Sequence, residues 1–140
     1  MLIVSQNISN HNITFSNDVI YRINLAWINN LQELENLLKK HDKQKIFLDL
    51  PTNRIKPPNN KYTLNDLISV ISSYNQIKYF AISNVESASD LEDYIQKIPP
   101  NIILVPKNGT YVLFRIRKNF THNKVTDTSK NIYLYKKSIF

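Results

Sequence analysis

The sequence has no cysteine and only one glycine among its 140 residues. Without cysteine, disulfide scaffolds, cysteine–zinc sites and thiol catalysis are excluded. Average usage would give about ten glycines, and both the P-loop and the G-x-G-x-x-G fingerprint need several, so phosphate binding in a glycine-rich loop is nearly excluded. No apolar run approaches the ~20 residues of a membrane helix, and Ser5 and Gln6 interrupt the apolar N-terminus before a signal-peptide core forms. We therefore expect a cytoplasmic protein.

Apolar segments alternate with segments of helical periodicity as far as residue 107. Strands are predicted at 19–25, 45–50, 77–83 and 101–106, and helices at 27–41 and beginning near Thr63 and Ser87. Near-continuous apolar strands with helices between them are typical of a parallel sheet with right-handed crossovers. The sequence therefore predicts an α/β fold with about four parallel β/α units over residues 1–107.

Residues 108–140 form a segment of different character. They carry seven basic residues and one acidic residue, and two further strands are predicted at 110–116 and 131–135 with no helix between them. Aromatic side chains among lysines and arginines suit single-stranded nucleic acid, through stacking and phosphate contacts. The alternative is a solvated pair of strands whose aromatic side chains pack inward.

Polar residues interrupt or close each of the four predicted parallel strands. They are Arg22 and Asn24 on the first strand, Asp49 on the second, Ser83, Asn84 and Glu86 after the third, and Lys107 after the fourth. Because functional groups collect at the carboxyl ends of parallel strands, this edge is the candidate site. The alternative for these residues is structural, with an Arg22–Asp49 ion pair and a turn cap at Asn24.

The order of these segments resembles pyruvate kinase. The matching segments are YRINLAW, KIFLDLPTNRIK, YTLNDLISVI, YFAISNVESASDLEDYI and NIILVPK. Pyruvate kinases carry A-R-x-N-F-S-H-G, L-L-D-T-K-G-P-E-I-R, L-T-x-x-D, S-F-V-R-x-A-x-D-V and I-I-A-K-I-E in the same order. The resemblance covers about residues 18–107. It implies part of the (β/α)8 barrel of the wider phosphoenolpyruvate/pyruvate superfamily, without the inserted capping domain.

The resemblance also implies roles for individual residues. Arg22 matches the arginine that binds the phosphoryl group of phosphoenolpyruvate, and Lys107 matches the catalytic lysine. Asn24 and Asp49 match two ligands of the monovalent cation. The family transfers a phosphoryl group from phosphoenolpyruvate to ADP in glycolysis and uses Mg²⁺ and K⁺.

Several positions depart from the family pattern. Ala26 and Leu50 replace two oxygen ligands of the monovalent cation, Glu86 replaces an arginine, and Gly109 replaces the glutamate that binds the divalent cation. A hard divalent cation needs carboxylate ligands. We therefore expect a pyruvate-kinase-like chain that is inactive. The alternatives are a related lyase or aldolase, a non-catalytic interaction remnant, or nucleic-acid binding through residues 108–140.

The match to the family and the charge balance both change after Lys107. A frameshift, a truncation or a fusion would explain both changes. Four β/α units cannot close a barrel, and an open half-barrel exposes sheet edges and an apolar face. We therefore expect the strands within 110–135 to pair with the sheet or with a second copy, and the chain to form homo-oligomers or to need a partner for folding.

Overall fold

A computed structural model of the chain describes residues 2–5, 16–107, 115–116 and 132–133. The strands are β1 (Leu2–Ser5), β2 (Val19–Asn24), β3 (Lys45–Leu50), β4 (Ile77–Ile82), β5 (Ile103–Pro106), β6 (Arg115–Ile116) and β7 (Ile132–Tyr133). The helices are α1 (Leu31–Lys40), α2 (Leu64–Ser73) and α3 (Glu92–Lys97), with short 3-10 helices at Leu25–Trp27 and Ala88–Leu91. No helix among these residues is long and apolar enough to cross a membrane.

All of these strands form one sheet in the order in which they occur along the chain. Each neighbouring pair from β1 to β5 is parallel, so the prediction of a parallel α/β sheet is confirmed. The predicted strands do not include β1, which begins in the apolar N-terminus and ends at Ser5, one of the residues that interrupt that run. The assignment of this sheet to part of a (β/α)8 barrel of pyruvate-kinase type stays a prediction, and so does self-association.

The predicted pairing of the C-terminal strands with the sheet is confirmed for the described residues. β6 pairs antiparallel with β5, and β7 pairs antiparallel with β6. Most of the basic segment 108–140 lies outside the described residues. The nucleic-acid interpretation and the frameshift hypothesis therefore stay predictions.

Side-chain caps determine where the helices begin. Thr63 and Asp66 form a reciprocal capping box at α2, as the sequence predicts. The predicted start of the first helix at Trp27 is wrong, because Asn24 caps a separate 3-10 helix over Leu25–Trp27. The α-helix begins only after Asn30, whose side chain accepts a hydrogen bond from the Glu33 amide at 2.9 Å.

The main core lies between the helices and one face of the sheet. Its cluster contains the α1 residues Leu34 and Leu38 together with Leu48 of β3 and Phe80 of β4, all of them fully buried. The pairing of β3 with β4 shifts register between Ile46 and Phe47, which leaves Lys78 as an extra residue in β4.

The opposite face of the sheet carries a smaller apolar cluster of Ile20, Phe47, Ala81 and Val105. Side chains on a strand alternate between the two faces with a period of two. Two positions further along the chain, this face therefore carries Arg22, Asp49, Ser83 and Lys107 in place of the apolar residues. The regular alternation of the sheet thus brings polar groups from four segments to one edge.

We predict that truncation of Leu48 destabilises the fold far more than truncation of Ile55. Leu48 is fully buried in the main core, whereas Ile55 is 91% exposed. Leu48→Ala should lower the free energy of unfolding by about 2–5 kcal/mol through lost burial and the resulting cavity. Ile55→Ala should change it by less than about 0.5 kcal/mol. Urea denaturation followed by circular dichroism measures both, and equal losses would contradict this core.

Candidate functional site

The predicted site residues Arg22, Asp49 and Lys107 meet at the carboxyl ends of the parallel strands. Arg22 Nε donates a hydrogen bond to Asp49 Oδ2 at 3.0 Å, and Arg22 Nη2 contacts the same oxygen. Lys107 Nζ lies 2.6 Å from Asp49 Oδ1 and 2.6 Å from Oδ2. We call these three residues the ion triad. Their convergence is the arrangement that the sequence predicts for strand ends of one parallel sheet.

Asp49 is the buried member of the ion triad. Its side chain is 1% exposed, whereas the side chains of Arg22 and Lys107 are 33% and 26% exposed. A buried carboxylate is costly unless it is paired and hydrogen-bonded. Two cations therefore hold one desolvated anion, and the triad with all three groups ionised carries one net positive charge that is partly accessible to solvent.

The side chain of Lys107, which follows β5, spans the width of β4 to contact Asp49 on β3. β4 lies between β3 and β5, and neighbouring strands are about 4.8 Å apart, so the two strand ends are separated by about 10 Å. The residue of β4 in register with Asp49 is Ala81, the smallest side chain of that strand. The Lys107 backbone is held beside β4, because its amide donates to Ile82 O at 2.7 Å and its carbonyl accepts from Val85 N at 3.0 Å.

The position of Ala81 beside Asp49 is not evident from the sequence alone. The signal was present, because Ala81 is a small residue within the otherwise bulky strand IKYFAI. Which residue of β3 lies beside Ala81 depends on the register between β3 and β4, and the sequence pattern does not determine that register.

The environment of Lys107 disfavours its charged form. Burial lowers the pKa of the Lys107 ammonium, and the nearby Arg22 guanidinium lowers it further, although Asp49 acts in the opposite direction. Arginine does not lose its proton in proteins. Of the two cations in the triad, Lys107 is therefore the one that can lose its proton as the pH rises.

Asn24 lies on the same edge but has a capping role. Its Oδ1 accepts a hydrogen bond from Ala26 N at 3.0 Å and caps the 3-10 helix Leu25–Trp27. The expected structural interpretations, an Arg22–Asp49 ion pair and a cap at Asn24, are both observed. The two residues that the resemblance assigns to a monovalent cation are thus engaged in contacts within the chain.

These contacts do not fit the inorganic cations that the resemblance implies. An added monovalent cation at Asp49 would lie beside two positive side chains, and Ala26 and Leu50 contribute no side-chain oxygen. Within the described part of the chain, no group of three or more His, Cys, Asp or Glu residues could hold a metal ion. Gly109, at the position of the family's metal-binding glutamate, lies outside the described residues.

A cavity adjoins the same edge between the loops that follow β3 and β4. The loops are joined by a hydrogen bond from Ser83 N to Leu50 O at 3.1 Å and by side-chain contacts of Thr52 with Ser83 O and of Asn84 with Thr52 O. Asn53 and Asn84 take positive φ angles of 53° and 57°, which asparagine tolerates better than most residues. The cavity has a volume of about 570 Å³ and is lined by Pro51, Asn53, Arg54, Ile55, Lys56, Ser83, Asn84 and Glu86.

The predicted residues Ser83, Asn84 and Glu86 therefore line this cavity, and they are separate from the ion triad. None of Arg22, Asp49 and Lys107 is among its lining residues. Arg54 is turned to its own loop, where Nε donates to Lys56 O at 2.8 Å. Among the described residues, this edge of the sheet thus holds two neighbouring polar regions, and of these two the ion triad is the one that brings charged groups from three segments into contact.

Comparison of the chain with protein-family models, with curated proteins and with solved structures finds no match. The resemblance to pyruvate kinase rests on the order of the sequence segments, and it stays a prediction.

Removal of the Asp49 charge should destabilise the fold. Asp49→Asn leaves two partly buried cations without their shared anion, and we expect a loss of about 2 kcal/mol in the free energy of unfolding, below the value for a fully buried pair. The matched control is Asp93→Asn, which breaks the exposed pair with Lys97 on α3. That variant should lose less than about 1 kcal/mol. Chemical denaturation compares the two, and an Asp49→Asn variant as stable as the control would contradict a stabilising triad.

The lowered pKa of Lys107 predicts a pH dependence of stability. The unfolded chain has the ordinary lysine pKa near 10.5, so between the folded and unfolded values the unfolded chain binds more protons. The contribution of Lys107 to the free energy of unfolding therefore rises with pH between its folded and unfolded pKa values. Below the folded pKa the lysine is charged in both states, and its burial lowers the stability by the full amount.

The variant Lys107→Met isolates this effect, since it lacks the titrating group. We expect the unfolding free energy of the unmodified protein minus that of the variant to increase from neutral pH toward 10.5. Tyr21, Tyr62 and Tyr94, whose pKa values are raised mainly by burial, are present in both proteins and cancel in the difference. A difference that stays constant or falls with pH would show that the Lys107 pKa is not lowered.

Proposed function

We propose that the ion triad binds a small phosphorylated carboxylic acid of the phosphoenolpyruvate type, without transferring its phosphoryl group to ADP. The observation that carries the proposal is the contact of both Arg22 and Lys107 with Asp49 at the carboxyl edge of a parallel sheet. The pyruvate kinase resemblance assigns Arg22 to binding of the phosphoryl group and Lys107 to catalysis.

The chemistry of the two cations supports an anionic ligand. A guanidinium presents five N–H donors in a planar fork that suits phosphate and carboxylate oxygens, and an ammonium presents three donors around a compact charge. Both side chains are partly exposed, so an anion in solution can approach them. Asp49 neutralises one of the two positive charges, which leaves a net attraction for an anion when all three groups are ionised.

Asp49 also makes the site selective for strongly charged ligands. Its carboxylate lies within hydrogen-bond distance of both cations, so an incoming anion must compete with it for their donors. Charge-assisted hydrogen bonds to phosphate are strong and frequently bidentate at arginine. A ligand with both a phosphate and a carboxylate offers oxygens to each cation, whereas a simple carboxylate offers fewer.

Phosphoryl transfer is excluded from the proposal because of the donor set. Transfer from phosphoenolpyruvate needs a divalent cation bridged to the phosphate, and such cations need carboxylate ligands. The matching position of the sequence is Gly109, and Asp49 is already engaged by two cations. We therefore propose a binding protein derived from a catalytic barrel.

Isothermal titration calorimetry with phosphoenolpyruvate tests the proposal. We expect saturable binding that Arg22→Gln and Lys107→Met each weaken by about 10–100-fold, the effect of losing a charged hydrogen bond. The matched control is Lys39→Met, which removes a positive charge from the exposed face of α1 and should leave the affinity unchanged. Circular dichroism of each variant checks that it is folded.

Two outcomes would contradict the proposal. An affinity that falls equally in Lys39→Met would show that the ligand responds only to net charge. Formation of pyruvate from phosphoenolpyruvate and ADP that requires Mg²⁺ and is abolished in Lys107→Met would show that the chain is an active kinase.

A further inference from the structure

The position of Lys107 bears on the inorganic cation that the resemblance implies. Asp49 would be one ligand of that cation, but the Lys107 ammonium lies 2.6 Å from both of its carboxylate oxygens. The ammonium therefore occupies the side of the carboxylate from which Lys107 approaches, and an added cation on that side would have to displace it. Arg22 contacts Oδ2 from the β2 side, so the carboxylate has cations on two sides.

The surroundings of Asp49 offer an inorganic cation little compensation. Asn24 Oδ1 is engaged by the Ala26 amide, and the side chains of Ala26 and Leu50 are apolar and buried. A cation that entered would lose its water shell and meet two positive side chains in a partly desolvated site, where charge repulsion is stronger than in water. Geometry, ligand chemistry and electrostatics all favour the internal ammonium.

We propose that Lys107 supplies from within the chain the positive charge beside Asp49, and that the ion triad therefore works without an inorganic monovalent cation. Lys107 is then a positioning residue for Asp49 and, through it, for Arg22. The part of this inference that concerns ligand affinity rests on the proposed function, whereas the part that concerns cation binding does not.

Thermal unfolding in matched salts tests the internal cation directly. The melting temperature of the unmodified protein should be the same in KCl, methylammonium chloride and tetramethylammonium chloride at equal ionic strength. In Lys107→Ala the space beside Asp49 becomes open to a small cation, so KCl and methylammonium chloride should raise the melting temperature above its value in tetramethylammonium chloride, whose cation is too large to enter. Anything that binds only the folded state raises its stability in this way.

Lys97→Ala is the matched control for this experiment. It breaks an ion pair with the exposed Asp93 on α3, so no desolvated carboxylate is left behind. Its melting temperature should not distinguish the three salts. A response of the unmodified protein to KCl, or the same response in Lys97→Ala as in Lys107→Ala, would overturn the inference.

A second measurement decides the matter if Lys107→Ala does not fold. Thallium NMR of the unmodified protein detects a bound monovalent cation directly, with Tl⁺ as the probe. We expect no saturable Tl⁺ binding, which would support the internal cation. Saturable binding that is lost in Asp49→Asn would overturn it.

Calorimetry with phosphoenolpyruvate separates this inference from the proposed function. The dissociation constants in KCl and in tetramethylammonium chloride should agree within about twofold. Binding that requires K⁺ would overturn the inference and leave the proposed function standing. Absence of binding in both salts would contradict the proposed function, while the thermal and NMR experiments still decide whether Lys107 replaces the inorganic cation.

Discussion

The buried carboxylate of Asp49 is the group on which the candidate site depends. A desolvated anion needs partners, and Asp49 obtains them from two other strands, Arg22 on β2 and Lys107 after β5. Because the contacts span 27 and 58 residues of sequence, they tie the carboxyl ends of β2, β3 and β5 together. The arrangement that stabilises this edge of the sheet is also the one that presents two partly exposed cations to solvent.

The parallel sheet makes this arrangement possible. Consecutive parallel strands bring all of their carboxyl ends to one edge, and the alternation of side chains brings every second residue to one face. An apolar cluster that includes Phe47 and Val105 occupies that face, and the ion triad follows two residues later. The longest contact, between Lys107 and Asp49, spans β4, where the residue in register with Asp49 is the small Ala81. The alternation of side chains that builds the apolar cluster on this face thus also places the ion triad.

The sequence predicts the strand ends well because apolar runs that stop at polar residues are a local signal. Arg22, Asp49 and Lys107 could therefore be placed at one edge before their contacts were known. Other features depend on distant contacts or on competing local ones. The short strand Leu2–Ser5 is recognisable only from its pairing with β2. Trp27 lies outside α1 because it belongs to a separate 3-10 helix capped by Asn24, whereas α1 begins after its own cap, Asn30.

The central claim is that Asp49 and Lys107 stabilise each other across β4. A double-mutant cycle of Asp49→Asn and Lys107→Met, measured by chemical denaturation, tests it most directly because it isolates the interaction between the two residues. The account predicts a favourable coupling of about 1 kcal/mol or more, as expected for residues in direct contact in one ion network. A coupling below about 0.3 kcal/mol would place the two residues among independent sites and contradict the account.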